Sequence, residues 1–190
     1  MAPHVGVLAI QGSFQKHIES LVRAGHPADQ IHEIRTPEDL SQVRRLIIPG
    51  GESTTVGLLM QYTGLDQAII ERAHQGMPIW GTCMGMIMLA RQVENREQFS
   101  LNLLNITVRR NAFGAQVHSF ETQLTVAGLV DPIEAVFIRA PIVTKHGPEV
   151  QVLATFNDHI VAVQQDKILG TSFHPELTSD TQLHKYFLNL

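Results

Sequence analysis

The chain contains a single cysteine, Cys83, and that scarcity removes several options at once. An internal disulfide needs two thiols, and a thiolate zinc site cannot be built from one. A reducing, cytoplasmic setting is the expectation. Positive charge is also in short supply, with 14 Lys and Arg against 18 Asp and Glu and a net charge of −4. No basic run exceeds the pairs Arg44-Arg45 and Arg109-Arg110, which argues against a nucleic-acid surface. Apolar runs long enough to span a membrane are missing. The opening stretch MAPHVGVLAIQG lacks a basic flank and reads as a first strand rather than a secretory signal. Neither G-x-x-x-x-G-K-[ST] nor G-x-G-x-x-G occurs, so no phosphate-binding loop is announced. What remains is 190 residues, 44% hydrophobic and 17% charged, enough for one compact domain with a full core.

The first half alternates strand and helix signals. HVGVLAI reads as a buried strand, and Phe14, Ile18, Leu21 and Val22 carry helical spacing between Ser13 and Ala24. Gly25 ends that helix. QIHEIR is a second strand, and Thr36-Pro37-Glu38-Asp39 is a helix start, with a cap, a proline and acids in the first turn. RRLIIPGG is a third strand entering a glycine turn, followed by helical patterns to about Ala73. MPIWG is a short buried strand, and MGMIMLA begins a helix. Such alternation predicts a parallel sheet covered on both faces. Beyond it, NITVRR, FETQLTV, AVFIRAP, VQVLATFN, HIVAVQQD and ILGTSFH are closely spaced and predict antiparallel pairs. A last helix is expected over residues 179–188, with Leu183, Phe187 and Leu188 inward. The pattern is a three-layer α/β domain with an antiparallel extension.

Cys83 lies in Gly81-Thr82-Cys83-Met84-Gly85, a G-x-nucleophile-x-G string between strand and helix, as a nucleophile elbow requires. The turn is tight, so its neighbours must be small. The following helix start favours a thiolate, and the Met84 N–H points to where an oxyanion would form. By itself the string is matched by a buried free cysteine, so a base and an oxyanion site must decide. His174, in TSFHPEL, stands apart from the other histidines. In an extended segment it shares a face with Glu176, and a carboxylate there would fix its tautomer and stabilise imidazolium. Read alone, HPE also suits a turn that starts a helix. IIPGGESTT offers backbone N–H groups at a strand end, with Gly51 a second oxyanion donor. An ordinary turn capped by Ser53 or Thr54 is the plainer reading of that stretch.

PGGEST, GTCMG and SFHPEL, in this order, resemble class I glutamine amidotransferases, and LAIQG, RRNAFGAQVHSFE and FIRAP are similar to the glutaminase subunits of pyridoxal 5′-phosphate synthases. The resemblance covers essentially the whole chain, residues 1–190, as one glutamine amidotransferase domain. It implies a three-layer flavodoxin-like sandwich with a mostly parallel central sheet and an antiparallel extension. It also implies that Cys83 attacks the side-chain amide of L-glutamine, that His174 protonates the departing ammonia, and that Glu176 orients His174. The N–H groups of Gly51 and Met84 would hold the oxyanion. Gly50, Gly51, Glu52, Arg110, Ile138 and Arg139 would bind the substrate, whose carboxylate and ammonium call for donors and acceptors together. No cofactor or metal is implied. The ammonia would pass to a synthase subunit that builds pyridoxal 5′-phosphate from a pentose phosphate and a triose phosphate. Gln11 is the candidate partner contact, and docking is expected to reorder the Gly50-Gly51 turn.

Three positions depart from the family pattern: Met84 stands where a small alanine is usual, Ala115 where an arginine is, and His118 where an aspartate is. Other readings of the same residues are a dienelactone-type hydrolase, a free-standing glutaminase, and a non-enzymatic cysteine sensor of the same fold. In the first of these the acid precedes the histidine by a long interval, whereas Glu176 follows His174.

Overall fold

The structure is a computed structural model, and it describes residues 3–113 and 119–190. Ala115 and His118 lie outside the described residues. The expected alternation appears as β1 (Val5–Leu8), α1 (Phe14–Arg23), β2 (Ile31–Ile34), α2 (Pro37–Ser41), β3 (Arg45–Ile48), α3 (Ser53–Thr63), α4 (Leu65–His74) and β4 (Ile79–Thr82). Then follow α5 (Met84–Leu89), β5 (Ala90–Val93), β6 (Leu104–Arg109), β7 (Ser119–Leu124), β8 (Ile133–Ile138), β9 (Ile142–His146), β10 (Gln151–Phe156), β11 (His159–Gln165), β12 (Ile168–Thr171) and α6 (Gln182–Leu188).

The main sheet runs β2-β1-β3-β4-β12-β11-β9-β6-β5, with β10 on β11. Its first five strands are mutually parallel, the doubly wound order of flavodoxin-like folds. β12 is the junction, parallel to β4 on one side and antiparallel to β11 on the other. β7 and β8 form a separate antiparallel pair. Every residue of β1, β4 and β12 is buried, as strands covered on both faces must be. Side chains alternate between two cores. Leu46, Ile48 and Ile79 face the one under α2 to α5, while Ile47, Trp80 and Leu169 face the one under α1, α6 and the β7–β8 pair.

Local chemistry explains most boundaries. Thr36 Oγ1 accepts from the Asp39 N–H at 3.2 Å, and Asp39 Oδ2 accepts from the Thr36 N–H at 3.0 Å, a complete capping box at the start of α2. Gly64, at φ 75°, divides the long helical stretch into α3 and α4. α5 is shorter than MGMIMLA suggests. All six residues are buried, so it has no polar face to carry it into solvent. It stops at Leu89, where the N–H groups of Leu101 and Leu103 take the carbonyls of Met88 and Leu89.

Three expectations are corrected. The inward face of α1 is centred on His17, Ser20 and Leu21, with Phe14 and Ile18 half-buried against the same core, and only Val22, 45% exposed, turns away from it. His17 sits in the buried stripe because it has polar partners there, Thr82 and His184. Strands β5 and β9 come from stretches with no strand signal. β5 is a sheet edge with Arg91 and Gln92 exposed, and β9 follows Pro141 and ends in polar residues. ILGTSFH supplies a strand that joins the parallel core as well as the antiparallel extension.

Candidate active site

β3, β4 and β12 end at the same edge of the parallel sheet, where such folds bind ligands. Thr171 pairs in register with Thr82, so the residues that follow them emerge side by side. Cys83 leaves β4 at φ 52° and ψ −107°, and its N–H donates to the Thr171 carbonyl at 2.8 Å. A non-glycine residue at such a φ is strained and is held only by an over-determined turn. Here the tight walls are backbone. A Cβ on Gly85 would strike the Ile48 carbonyl, and one on Gly81 would strike Gly85. The thiol is half-buried, and its Sγ is 3.9 Å from the Ile138 carbonyl. The N–H groups of Met86 and Ile87 return to the Cys83 carbonyl at 3.1 and 3.3 Å, and those of Met84 and Gly85 precede the first such bond of α5.

His174 and Glu176 are brought together by a turn rather than by an extended strand. His174 has φ −110° and ψ 83° and precedes a 3-10 turn over Pro175–Leu177. Pro175 and Glu176 therefore do form a first helical turn, and the turn itself sets His174 Nδ1 2.8 Å from Glu176 Oε1. The His174 backbone is anchored by its N–H to the Val136 carbonyl at 2.8 Å. Its ring lies beside Cys83: the β position of Gly50 is 2.7 Å from His174 Cε1 and 3.5 Å from Cys83 Cβ. Any side chain at residue 50 would fill the space the ring occupies. Burial, the strongest single influence, pushes the His174 imidazole down, but Cys83 and Glu176 outweigh it and raise it from 6.5 to about 10. Burial likewise pushes the Glu176 carboxyl up, and the imidazole edges of His17 and His174 with the Ser13 hydroxyl draw it down to about 2. The arrangement thus favours a carboxylate and an imidazolium beside the sulfur.

A pocket of about 430 Å³ opens over Cys83, lined among others by Gly51, Glu52, Arg110, Ile138, Arg139 and His174. Most expected substrate-binding positions meet there, as does Met84; Gly50 lies beneath the His174 ring instead. The Glu52 carboxylate is occupied in capping α3, accepting from the N–H groups of Thr54 at 2.9 Å and Thr55 at 2.8 Å. Those bonds hold it ionised, down to about 2. Arg110 is steered by Gln98 Oε1 at 3.0 Å and Ser53 Oγ at 3.5 Å. Arg139, exposed and at φ 47°, borders the opening from the end of β8. The rim thereby carries both signs of charge. Gln11 is exposed and accepts from the Glu52 N–H at 3.0 Å through its Oε1, so it touches the glycine turn from outside. Among the described residues, no group of three His, Cys, Asp or Glu side chains is placed to hold a metal ion.

Sequence reading passes over Ser13, His17, Gln98 and Asn111. Ser13 Oγ donates to Glu176 Oε1 at 2.6 Å, and His17 Nε2 lies 3.4 Å from Glu176 Oε2. The available signal was the i, i+4 spacing of Ser13 and His17 ahead of buried Leu21. Asn111 lines the pocket at φ 48°, and nothing local marks it.

Comparison with known proteins gives the chain's family. A family model described as the SNO glutamine amidotransferase family matches residues 7–190. A protein of Desulforamulus reducens named pyridoxal 5′-phosphate synthase subunit PdxT is 50% identical over 98% of this chain and 98% of its own. One of the same name from Herpetosiphon aurantiacus is 53% identical over 98% of this chain and 99% of its own. A crystal structure titled glutamine amidotransferase superposes with a TM-score of 0.92 at 46% identity, covering 98% of this chain and 97% of that one.

Proposed function

From the premise that this chain belongs to the SNO glutamine amidotransferase family, we propose that residues 1–190 form one amidotransferase domain. It is the glutaminase subunit of a pyridoxal 5′-phosphate synthase and works in the cytoplasm. The observation that carries this reading is the His174–Glu176 pair set against Cys83 beneath a pocket bearing Glu52, Arg110 and Arg139. Cys83 Sγ attacks the side-chain carbonyl of L-glutamine. The N–H groups of Gly51 and Met84 receive the oxyanion. The His174 imidazolium gives its proton to the leaving nitrogen, ammonia departs, and a thioester to Cys83 remains. His174, now neutral, takes a proton from water, whose oxygen attacks the thioester. Glutamate leaves and the thiol is restored. Glu176 holds the imidazole in the tautomer both half-reactions need. The cations Arg110 and Arg139 answer the substrate carboxylate, and acceptors at the Glu52 and Ile138 side answer its ammonium.

The ammonia goes to a synthase subunit. Gln11, which touches both solvent and the Gly50–Glu52 turn, is the residue through which docking reaches the oxyanion site. The test is glutamate production from glutamine with and without the cognate synthase subunit, for wild type and Cys83→Ala. Activity that needs the partner and vanishes in Cys83→Ala is the expected result. Equal activity without the partner points to a free-standing glutaminase. Activity that survives Cys83→Ala removes the nucleophile assignment.

A further inference from the structure

The Glu176 carboxylate has one oxygen more than the triad uses. Oε1 accepts from His174 Nδ1 at 2.8 Å and from Ser13 Oγ at 2.6 Å. Oε2 is buried and has no hydrogen-bond partner among the described residues; His17 Nε2 stands 3.4 Å from it and is itself bonded to Thr82 Oγ1 at 3.2 Å. On its other side, His17 Nδ1 is 3.1 Å from His184 Nε2 on α6. Both rings are wholly buried and pack edge-on to Trp80.

We propose that His17 is a positioning residue for the hydrolysis of glutamine: as the neutral Nε2–H tautomer, fixed by His184 behind it, it presents a donor to the free oxygen of Glu176 and locks the carboxylate that orients His174. The inference rests on the glutaminase reading above.

Two considerations select this tautomer. Burial pushes both His17 and His184 down, against a doubly protonated ring. If His17 carried its proton on Nδ1, a bare Nε2 lone pair would face an anionic carboxylate. His184 would then carry its proton on Nδ1, which has no partner among the described residues, leaving a buried donor unpaired. With His17 as Nε2–H, His184 donates from Nε2 and its orphan atom is only an acceptor, the cheaper one to strand. The charged and titratable groups around the pair support this charge state. Glu176 supplies the negative charge from its 3-10 turn. Arg23, on α1 with its Nη1 on the Thr178 carbonyl at 2.8 Å, disfavours a second positive charge, and His174 does the same for His17. Locking Oε2 matters because the terminal torsion of a glutamate is soft. A carboxylate held at one oxygen pivots, and the imidazole bonded to it follows.

The experiment compares wild type, His17→Leu and His17→Gln, assembled with the synthase subunit, by glutamate release across pH. Removing the N–H that faces a buried, otherwise unpartnered carboxylate oxygen should lower kcat about tenfold in His17→Leu, and the glutamine donor should recover it to within about threefold of wild type. A carboxylate without its donor takes up a proton more readily, so the acid limb of the kcat profile should move up by about one pH unit in His17→Leu. A residue needed only for packing would depress activity equally at every pH, with Gln no better than Leu, and that result overturns the proposal. A second measurement needs neither turnover nor a variant: two-bond 1H–15N spectra of histidine-labelled wild type. A neutral Nε2–H pattern for His17 is expected, and an Nδ1–H or doubly protonated ring overturns the proposal. Because these spectra do not depend on glutamine being hydrolysed, failure of the glutaminase reading is told apart from failure of this one.

Discussion

Behind Cys83, Met84 is 3% exposed and packs into the core beneath α3 to α5, with its Cε 3.4 Å from the β position of Gly51. The extra volume relative to an alanine is therefore spent on propping the glycine turn from below. Met84→Ala should open a cavity there and cost about 2–5 kcal/mol, read as a lower midpoint in urea unfolding at unchanged slope. A midpoint within error of wild type would mean that the surroundings collapse into the gap. At this scale the chemistry was legible where it travels in short strings. Cys83, His174 and Glu176 each carry their context within a few residues. Ser13 and His17 do not, because a buried polar side chain is justified only by a partner far along the chain, and a pattern of apolar residues reads past it. The same bias placed Val22 on the inward face of α1 and passed over His17 and Ser20.

Elements follow the same division. Helix α2 was legible to the residue because its start is specified by its own side chains. Thr36→Ala removes an acceptor for the Asp39 N–H and should cost about 1 kcal/mol. Glutamate production should stay at the wild-type level, since α2 lies outside the pocket. Circular dichroism melts with parallel assays check both halves, and a drop in activity at equal stability would tie α2 to the site. β5 and β9 were illegible for a physical reason. An edge strand with one wet face needs few apolar residues, and what makes β9 a strand is β6 and β11 on either side. The 3-10 turn at Pro175 shows the opposite case: a wrong local conformation, an extended segment, still predicted the right contact, because turn and strand both set residue 176 beside residue 174.

For the whole molecule, the buried ion pair sets how stability responds to pH. The His174 value is raised in the folded chain, from 6.5 to about 10, so its contribution is complete below 6.5 and is lost as pH climbs through 10. The Glu176 value is depressed, from 4.5 to about 2, so its contribution is complete above 4.5 and is lost as pH falls through 2. Both are complete only between about pH 4.5 and 6.5, the window in which this pair favours folding most. Removing the Cys83 sulfur takes away part of what raises His174, so in Cys83→Ala the alkaline loss should be smaller and should finish at lower pH. Urea unfolding at stepped pH measures this, and an alkaline limb identical to wild type would separate the sulfur from the imidazole. The position of β12 has a temporal consequence as well. This strand sits between β4 and β11 yet follows both in the chain, so the sheet must wait for it. Until residues 168–171 slot in, β4 presents an open edge and Cys83 has neither the Thr171 carbonyl nor an imidazole. The surroundings of the thiol are therefore assembled by the same late, long-range step that closes the core.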